Sequence, residues 1–323
     1  MNRTLFIFTF GVAMLASLGL TPLIRRLAVS MGAVDKPNHR KVHSRPTPLW
    51  GGLGVFGGMI ISIPLTLILF GHIEPLLTRR AISSFIGLLV AGVIIVILGL
   101  LDDRFTIGAK QKLSVQIVAA LVMYYSGISI TFINIPGQGY YYFASWISLF
   151  ITVFWIVGIM NALNLLDGLD GLLSGVAVIS GLIFFIVAVQ KGQLLVAMLM
   201  MALVGGCLGF LHYNFHPASI FLGDTGSLLI GLTFAASSIM GALKTTTTLA
   251  FMVPVLIMGV PIFDTAFAIF RRFIRKKPIF SPDKDHVHHR LLRTGLSHRN
   301  VVFLIYLVNL ILGILGIVLA RMY

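Results

Sequence analysis

The fold is decided by residues 82–103, which read ISSFIGLLVAGVIIVILGLLDD. Residues 82–101 carry no charge, and two adjacent aspartates, Asp102 and Asp103, end the stretch. An α-helix needs about 20 apolar residues to cross the hydrocarbon core of a bilayer. The stretch is therefore predicted to span a membrane, with the acidic pair at the end of the helix.

The rest of the chain has the same character, since 58% of its 323 residues are hydrophobic and 11% are charged. Soluble domains carry about 25% charged residues, and a chain this apolar lacks the polar residues to cover one core. A soluble multidomain protein, a disordered chain and a secreted disulfide scaffold are excluded. The single cysteine, Cys207, can form neither an internal disulfide nor a cysteine-based zinc site.

Ten apolar runs are predicted to be transmembrane helices joined by short connections. They cover residues 5–23, 53–70, 82–101, 113–125, 144–160, 172–189, 194–211, 227–240, 249–270 and 302–320. The expected fold is all-α, a polytopic integral membrane protein of about ten helices in which residues 1–323 form one domain.

Basic residues are distributed unevenly between the two sides of this arrangement. If the connections alternate, one side receives 18 of the 24 lysines and arginines and the other receives 6. Cytoplasmic loops are rich in Lys and Arg, so the first side is predicted to be cytoplasmic and both termini extracytoplasmic. Arg25 and Arg26 follow the first apolar run, whereas a signal peptide carries its charge before it. The net charge of +14 is thus attributed to membrane topology and lipids, and no nucleic acid is expected.

Acidic residues also favour the cytoplasmic side, which receives nine of the ten, although the rule for basic residues does not require it. Asp102 and Asp103 oppose the dipole at a helix C-terminus and repel each other. One interpretation is an acidic helix end balanced by Arg104. We favour the other interpretation, in which the pair holds a cation or supplies a general base. Lys110 and Lys112 follow, either as phosphate contacts or as anchors at the membrane surface.

A polar motif, NALNLLDGLDG, occupies residues 161–171 and repeats a polar residue at every third position. Four positions spaced by three drift about half-way round a helix, so they do not form one face. Two glycines interrupt the motif, which favours a helix end that unwinds to line a cavity. A tight turn is the plainer alternative, for which a single Asp-Gly would be enough.

A third motif, FLGDTGS at residues 221–227, places Asp224 between two glycines before an apolar run. Asp224 could be a helix N-cap. The same pattern is also typical of an anion or metal site, because glycines let backbone N–H groups approach a phosphate at a helix N-terminus.

A histidine cluster, DHVHHR at residues 285–290, lies in the last basic loop. Three histidines suggest zinc, but the neighbouring cations and the lack of a nearby cysteine disfavour it. Contact with a phosphate or pyrophosphate is expected instead. Binding to anionic lipid headgroups is the alternative, and it explains the lysines but not the histidines.

Together these motifs resemble those of the polyprenyl-phosphate N-acetylhexosamine-1-phosphate transferases, over nearly the whole chain and in order. The resemblance rests on DKPNHRKVH at 35–43, the double glycine at 51–52, LDD at 101–103, the motif at 161–171, GDTG at 223–226 and HVHHR at 286–290. Val287 interrupts the histidines. In this respect, and in the loop containing His39 and His43, the chain is more similar to undecaprenyl-phosphate GlcNAc-1-phosphate transferases than to phospho-MurNAc-pentapeptide transferases, which usually have a triple histidine.

The resemblance implies an enzyme of the plasma membrane with its active site at the cytoplasmic face. It would transfer GlcNAc-1-phosphate from UDP-GlcNAc to undecaprenyl phosphate and release UMP, with Mg²⁺ as cofactor and Mn²⁺ as a substitute. The expected partners are a UDP-N-acetylhexosamine, undecaprenyl phosphate and membrane lipids, and a homodimer is compatible with the sequence. Transfer of phospho-MurNAc-pentapeptide stays open, as does a proton- or ion-coupled transporter, which would distribute its acids through the membrane depth.

The resemblance also assigns roles to individual residues, Asp264 excepted. The metal ligands are Asp224 and Asn164. The catalytic residues are Asp102, Asp103, Asp167 and Asp170. The substrate contacts are Lys112, Asn164, His43, His286, His288, His289 and Arg290.

Overall fold

The computed structural model describes residues 3–36, 46–71, 78–135, 138–242, 249–274 and 286–322. In these ranges the helices are α1 (Arg3–Ser30), α2 (Gly52–Phe70), α3 (Arg79–Phe105), α4 (Ala109–Tyr125), α5 (Ser145–Leu166), α6 (Leu172–Gln190), α7 (Leu194–Asn214), α8 (Gly223–Ala242), α9 (Leu249–Ile257), α10 (Gly259–Ile274), α11 (Val287–Arg293) and α12 (His298–Arg321). The strands are β1 (Val34–Asp35), β2 (Thr47–Pro48), β3 (Phe132–Ile135) and β4 (Gly139–Tyr142).

Seven helices of the described part are long and apolar enough to cross a membrane, namely α1, α2, α3, α5, α6, α7 and α12. The prediction of a polytopic helical membrane protein is therefore confirmed. The predicted spans 113–125, 227–240 and 249–270 correspond to α4, α8 and the pair α9 and α10, which are not among the seven. The total of ten spans stays a prediction.

The predicted span 249–270 is divided into two helices that meet at Met258. Pro261 has no N–H to donate to the carbonyl of Ile257, so the series of helical hydrogen bonds is interrupted at this point. A proline within an apolar run was the available signal for the division.

Two small antiparallel hairpins correct the all-α prediction. β1 pairs with β2 through Val34 opposite Pro48, and β3 pairs with β4 through Phe132 opposite Tyr142. The ring of Phe132 contacts those of Tyr140 and Tyr142, with centroids 5.6 Å and 5.7 Å apart. Aromatic residues favour strands because they pack across a pleated surface, and this explains the hairpin in the connection between α4 and α5.

Close helix packing surrounds α7, which contacts α1, α2 and α6. Gly205 and Gly209 face α1 so closely that a Cβ on either would overlap the carbonyl oxygen of Phe10 or Met14. Small residues four positions apart let two helix backbones approach, which strengthens packing where lipid gives no hydrophobic drive.

Helix α8 lies at the centre of the bundle, in contact with α2, α3, α5 and α7. Apolar side chains all round it are buried, among them Leu228, Ile230, Leu232 and Phe234. A helix that is apolar on every side is buried on every side. The surrounding helices thus fix the N-terminal end of α8, where Asp224 lies.

Candidate active site

Asp103, near the end of α3, binds the first turn of α8. Its Oδ1 accepts the backbone N–H of Asp224 at 2.8 Å, and its Oδ2 accepts the Thr225 hydroxyl at 2.8 Å. First-turn N–H groups have no partner within their helix, and a carboxylate stabilises their partial positive charge. Gly223 has a φ of +72°, and a Cβ there would overlap the Asp103 carboxylate. This contact explains the glycine that precedes Asp224.

Lys112, in the first turn of α4, joins the two other carboxylates of the site. Its Nζ lies 2.6 Å from Oδ2 of Asp102 and 2.6 Å from Oδ2 of Asp224. The second oxygen of Asp102 accepts the N–H of Ile107 at 2.7 Å and fixes the turn between α3 and α4. Asp102, Lys112 and Asp224 are therefore brought together as predicted, although Lys112 contacts carboxylates in this structure.

Asn164, at the end of α5, holds Asp224 from the other side. Its Nδ2 donates to Oδ1 of Asp224 at 3.0 Å and to Oγ of Ser227 at 2.8 Å. Asp224 is the second residue of α8, so it lies inside the helix and is not its N-cap. The N-cap alternative is thus wrong, and both carboxylate oxygens of Asp224 face residues of other helices.

Beyond Asn164, α5 ends at Leu166, and the Asp-Gly repeats form the irregular connection to α6. The expected unwound helix end is confirmed. Burial raises the pKa of the Asp167 carboxyl well above its usual range, and neighbouring carboxylates, that of Asp224 foremost, raise it further. Asp170 has a different environment, since its Oδ2 binds Nδ1 of His216 at 2.8 Å and the N–H of Ala218 at 3.0 Å. Asp170 therefore joins two connections of the bundle.

A cavity of about 930 Å³ opens beside these residues. Its lining includes all five aspartates of the predicted site and one of its histidines: Asp102, Asp103, Asp167, Asp170, Asp224 and His289. Asn164 also lines it. The motifs at 101–103, 161–171, 223–226 and 286–290, which are far apart in sequence, thus meet at one end of the bundle.

The histidines of the last loop occupy different positions. His286 and His288 are buried, with 5% and 2% of their surface exposed, whereas His289 lines the cavity. His288 packs so closely on Gly168 that a Cβ on the glycine would overlap the imidazole. Arg290 is exposed, and its guanidinium lies 6.0 Å from the ring centroid of Phe267. We therefore revise the expectation that the whole cluster faces the substrate, and assign the cavity-facing position to His289.

Two histidines that the sequence analysis did not select also line the cavity. The rings of His216 and His298 stack with centroids 4.1 Å apart and an angle of 19° between their planes, next to Asp170. Ring-nitrogen lone pairs lie in the ring plane, so those of stacked rings run side by side and do not converge on one ion. The only sequence feature that could have indicated a cavity histidine was the position of His216, eight residues before Asp224. His39 and His43 lie outside the described residues.

A divalent cation fits the acidic end of the cavity. The ligand oxygens of Asp102, Asp103 and Asp224 lie within 4.8 Å of one another, and Mg²⁺ prefers such oxygens. Asp102 and Asp224 both contact the ammonium of Lys112, so their carboxylates already converge on one positive charge. Asp103 is less suited, because α8 engages its two oxygens. The donor set thus favours Asp224 and Asp102, with Asn164 adjacent.

The chain is similar in sequence to several curated transferases. It is 41% identical to the probable undecaprenyl-phosphate N-acetylglucosaminyl 1-phosphate transferase of Bacillus subtilis, over 97% of this chain and 84% of that protein. It is 40% identical to the decaprenyl-phosphate N-acetylglucosaminephosphotransferase of Mycobacterium tuberculosis, over 88% and 75% of the two chains. It is 34% identical to the phospho-N-acetylmuramoyl-pentapeptide-transferase of Bacillus anthracis, over 96% of each.

The fold, the acidic cavity and these relatives define a multi-pass phosphotransferase of the plasma membrane. The model of glycosyl transferase family 4 matches residues 85–242, which contain Asp102, Lys112, Asn164 and Asp224. The chain belongs to this family, the polyprenyl-phosphate N-acetylhexosamine-1-phosphate transferases.

Proposed function

We propose that the protein transfers GlcNAc-1-phosphate from UDP-GlcNAc to undecaprenyl phosphate. The products are undecaprenyl-diphosphate-GlcNAc and UMP, and the reaction is the first membrane step in the synthesis of a cell-surface polymer. The observation that carries the proposal is the convergence of Asp102, Lys112 and Asp224 at one end of a polar cavity. The similarity to the N-acetylglucosamine transferases of Bacillus subtilis and Mycobacterium tuberculosis supports the same sugar.

In this reaction an oxygen of the lipid phosphate attacks the β-phosphorus of UDP-GlcNAc. A new P–O bond joins the two phosphates, and the bond between the β-phosphorus and the bridging oxygen breaks, so UMP leaves with that oxygen. Phosphoryl transfer depends on alignment and on charge stabilisation. Asp102 accepts the proton of the lipid phosphate, and Lys112, which lies between Asp102 and Asp224, contacts a phosphate oxygen.

We propose Mg²⁺ as the cofactor, with Mn²⁺ as a substitute and Asp224 as the principal ligand. Bound there, the ion would neutralise negative charge on the diphosphate. Asn164 orients Asp224 through its hydrogen bond of 3.0 Å, and Asp103 fixes the first turn of α8 from behind. Asn164 and Lys112 therefore hold the carboxylate of Asp224 and Asp103 holds its backbone, which supports a role that requires an accurate position.

The nucleotide sugar would bind at the side of the cavity that contains Asp167 and His289. Arg290, next to His289 and exposed, adds a positive charge on the same helix. Because both substrates are anions, the basic residues near the cavity also attract them over a longer range.

Two other activities are weaker explanations. Phospho-MurNAc-pentapeptide transfer has support from a relative at 34% identity, but the GlcNAc transferases of Bacillus subtilis and Mycobacterium tuberculosis are more similar, at 41% and 40%, and Val287 interrupts the histidine triplet. An ion-coupled transporter would place acids through the depth of the membrane, whereas the cavity acids lie together at one end of the bundle.

The proposed topology has ten spans, with the cavity on the cytoplasmic side and both termini outside. The excess of lysine and arginine on one side supports this orientation.

The test of the function is an assay of UMP release by the purified protein in detergent. We expect release from UDP-GlcNAc only when undecaprenyl phosphate and Mg²⁺ are both present, together with a lipid-linked GlcNAc product. UDP-MurNAc-pentapeptide in place of UDP-GlcNAc is the matched control for donor choice. Turnover of the pentapeptide donor alone would contradict the proposal, and so would a lack of turnover with every donor.

A further inference from the structure

Asp264 is a buried acid to which neither the sequence motifs nor the proposed chemistry gives a role. It lies in α10, 7% exposed, on a helix that packs against α5 and α12. A carboxylate in such surroundings is costly unless it is hydrogen-bonded. Its partners therefore indicate its role.

Both oxygens of Asp264 bind the start of α11. Oδ2 lies 2.8 Å from Nδ1 of His286, and Oδ1 accepts the backbone N–H of Val287 at 2.9 Å. His286 is itself only 5% exposed, so solvent competes little with either bond. Two bonds from one planar carboxylate fix both the position and the direction of the chain that enters α11.

The residues that follow connect this anchor to the cavity. One residue beyond Val287, His288 packs on Gly168, the glycine between Asp167 and Asp170. The next residue, His289, lines the cavity. A displacement of α11 at Asp264 would thus be transmitted to the side of the cavity where Asp167 lies.

We infer that Asp264 is a positioning residue that holds α11 against the Asp-Gly connection, so that His289 and Asp167 face the donor substrate. The inference rests on the proposed function, because it names the donor as the ligand affected. Asp264 does not line the cavity within the described residues and is not assigned any chemical step.

The pair of hydrogen bonds leads to a sharp difference between two substitutions. In Asp264→Asn the amide oxygen can accept the N–H of Val287 while the amide nitrogen donates to Nδ1 of His286, which needs only a change of imidazole tautomer. In Asp264→Leu both bonds are lost although the size is similar. A positioning role therefore predicts that asparagine rescues and leucine does not.

The first experiment measures KM for each substrate separately. We expect Asp264→Leu to raise KM for UDP-GlcNAc by roughly tenfold or more, the effect of losing a charge-assisted hydrogen bond. The KM for undecaprenyl phosphate should stay within about twofold, and Asp264→Asn should stay close to the unmodified protein for both. Asn309→Leu, which removes a buried amide of α12 bonded to Ser180, is the matched control and should leave both KM values unchanged.

A second measurement reports on α11 without any activity. Leu291→Cys, on the partly buried side of α11, should react slowly with a maleimide, and faster when Asp264→Leu is added. Equal rises in both KM values, an unchanged labelling rate, or an asparagine variant as defective as leucine would each overturn the inference. If Asp264→Leu does not fold, His286→Ala serves in its place, because it removes the same side-chain bond and predicts the same rise in donor KM. Absence of turnover in the unmodified protein would instead reject the proposed function, while the labelling result would still test the position of α11.

Discussion

The carboxylate of Asp103 accepts the backbone N–H of Asp224 at 2.8 Å, so one acidic residue determines where another lies. The two residues have different tasks although both line the cavity. Asp103 directs its oxygens at the start of α8, whereas Asp224 directs its oxygens at Asn164 and Lys112. Asp103 therefore fixes the start of α8, whereas Asp224 contacts side chains of α4 and α5.

Removal of the Asp103 carboxylate should lower stability and activity together. Asp103→Ala leaves two N–H groups and the Thr225 hydroxyl without their acceptor, at a cost of about 1–3 kcal/mol for each buried group. We expect a lower midpoint of thermal unfolding in detergent and a matching loss of turnover. Arg104→Gln, at the neighbouring exposed position, is the control for stability and should leave the unfolding midpoint unchanged. An Asp103→Ala protein of normal stability would show that the first turn of α8 does not depend on the Asp103 carboxylate.

Asp224 and Asp102 should respond differently to metal. Asp224→Asn keeps the shape but removes the charge that attracts a cation, so we expect turnover to fall about 100-fold or more and the remaining activity to require more Mg²⁺. Asp102→Asn removes the proposed proton acceptor, and its defect should respond to higher pH but not to added Mg²⁺. Initial rates against Mg²⁺ and pH separate the two variants. Nearly normal turnover of Asp224→Asn would remove the metal assignment.

Gly168 and His288 should be energetically coupled, because they contact each other directly. Gly168→Ala introduces a Cβ into the space of the imidazole and should raise KM for UDP-GlcNAc by displacing α11. Addition of His288→Ala makes room for the new methyl group, so the double variant should recover part of the loss. A double-mutant cycle on KM and on unfolding free energy measures the coupling, which we expect to exceed about 0.5 kcal/mol. Additive effects would contradict the contact.

His288 should make the protein less stable in mild acid. Burial, together with the nearby His289 and His286, lowers the pKa of its imidazole to about 3, against an opposing effect of Asp264. The folded state thus keeps His288 neutral while the unfolded chain binds a proton below about pH 6.5. Stability from this group is present above pH 6.5 and falls by about 1.4 kcal/mol per pH unit below it. Unfolding midpoints between pH 7 and 5 should decrease more steeply in the unmodified protein than in His288→Gln. Parallel curves would refute the assignment.

The topology can be checked with two engineered cysteines in a Cys207→Ser background. Thr4 and Ser297 are both exposed and lie on opposite sides in the ten-span arrangement. A membrane-impermeant maleimide added to intact cells should label Thr4→Cys, and it should label Ser297→Cys only after permeabilisation. Labelling of both from the same side would reject the arrangement.

The sequence predicts most of the acids that line the cavity because apolar runs locate the helix ends, and Asp102 and Asp224 lie at two such ends. Their meeting could be predicted from a shared membrane face. The separate task of Asp103 could not, since it depends on how α3 packs against α8. The burial of His288 likewise depends on the absence of a side chain at Gly168, a contact made across 120 residues that no local pattern records.

The role of Asp264 could not be predicted from the sequence for a related reason. A single acid within an apolar run indicates only that a partner must exist, and His286, 22 residues further on, is reached through residues outside the described ranges. The two hairpins were not predicted because the long apolar runs of a membrane protein indicate helices, and the strand-forming stretches in the connections between them are short.

Residues 51–52, 103 and 164 hold the start of α8 through bonds to Phe221, Leu222 and Asp224. These parts of the chain are made at different times during synthesis, and residue 224 is made last. A growing chain that has inserted only α1 to α5 already contains Asp102, Lys112 and Asn164, but it has no Asp224 for them to contact. The contacts of Asp224 with Asn164 and Lys112 therefore cannot form before α8 has joined the earlier helices.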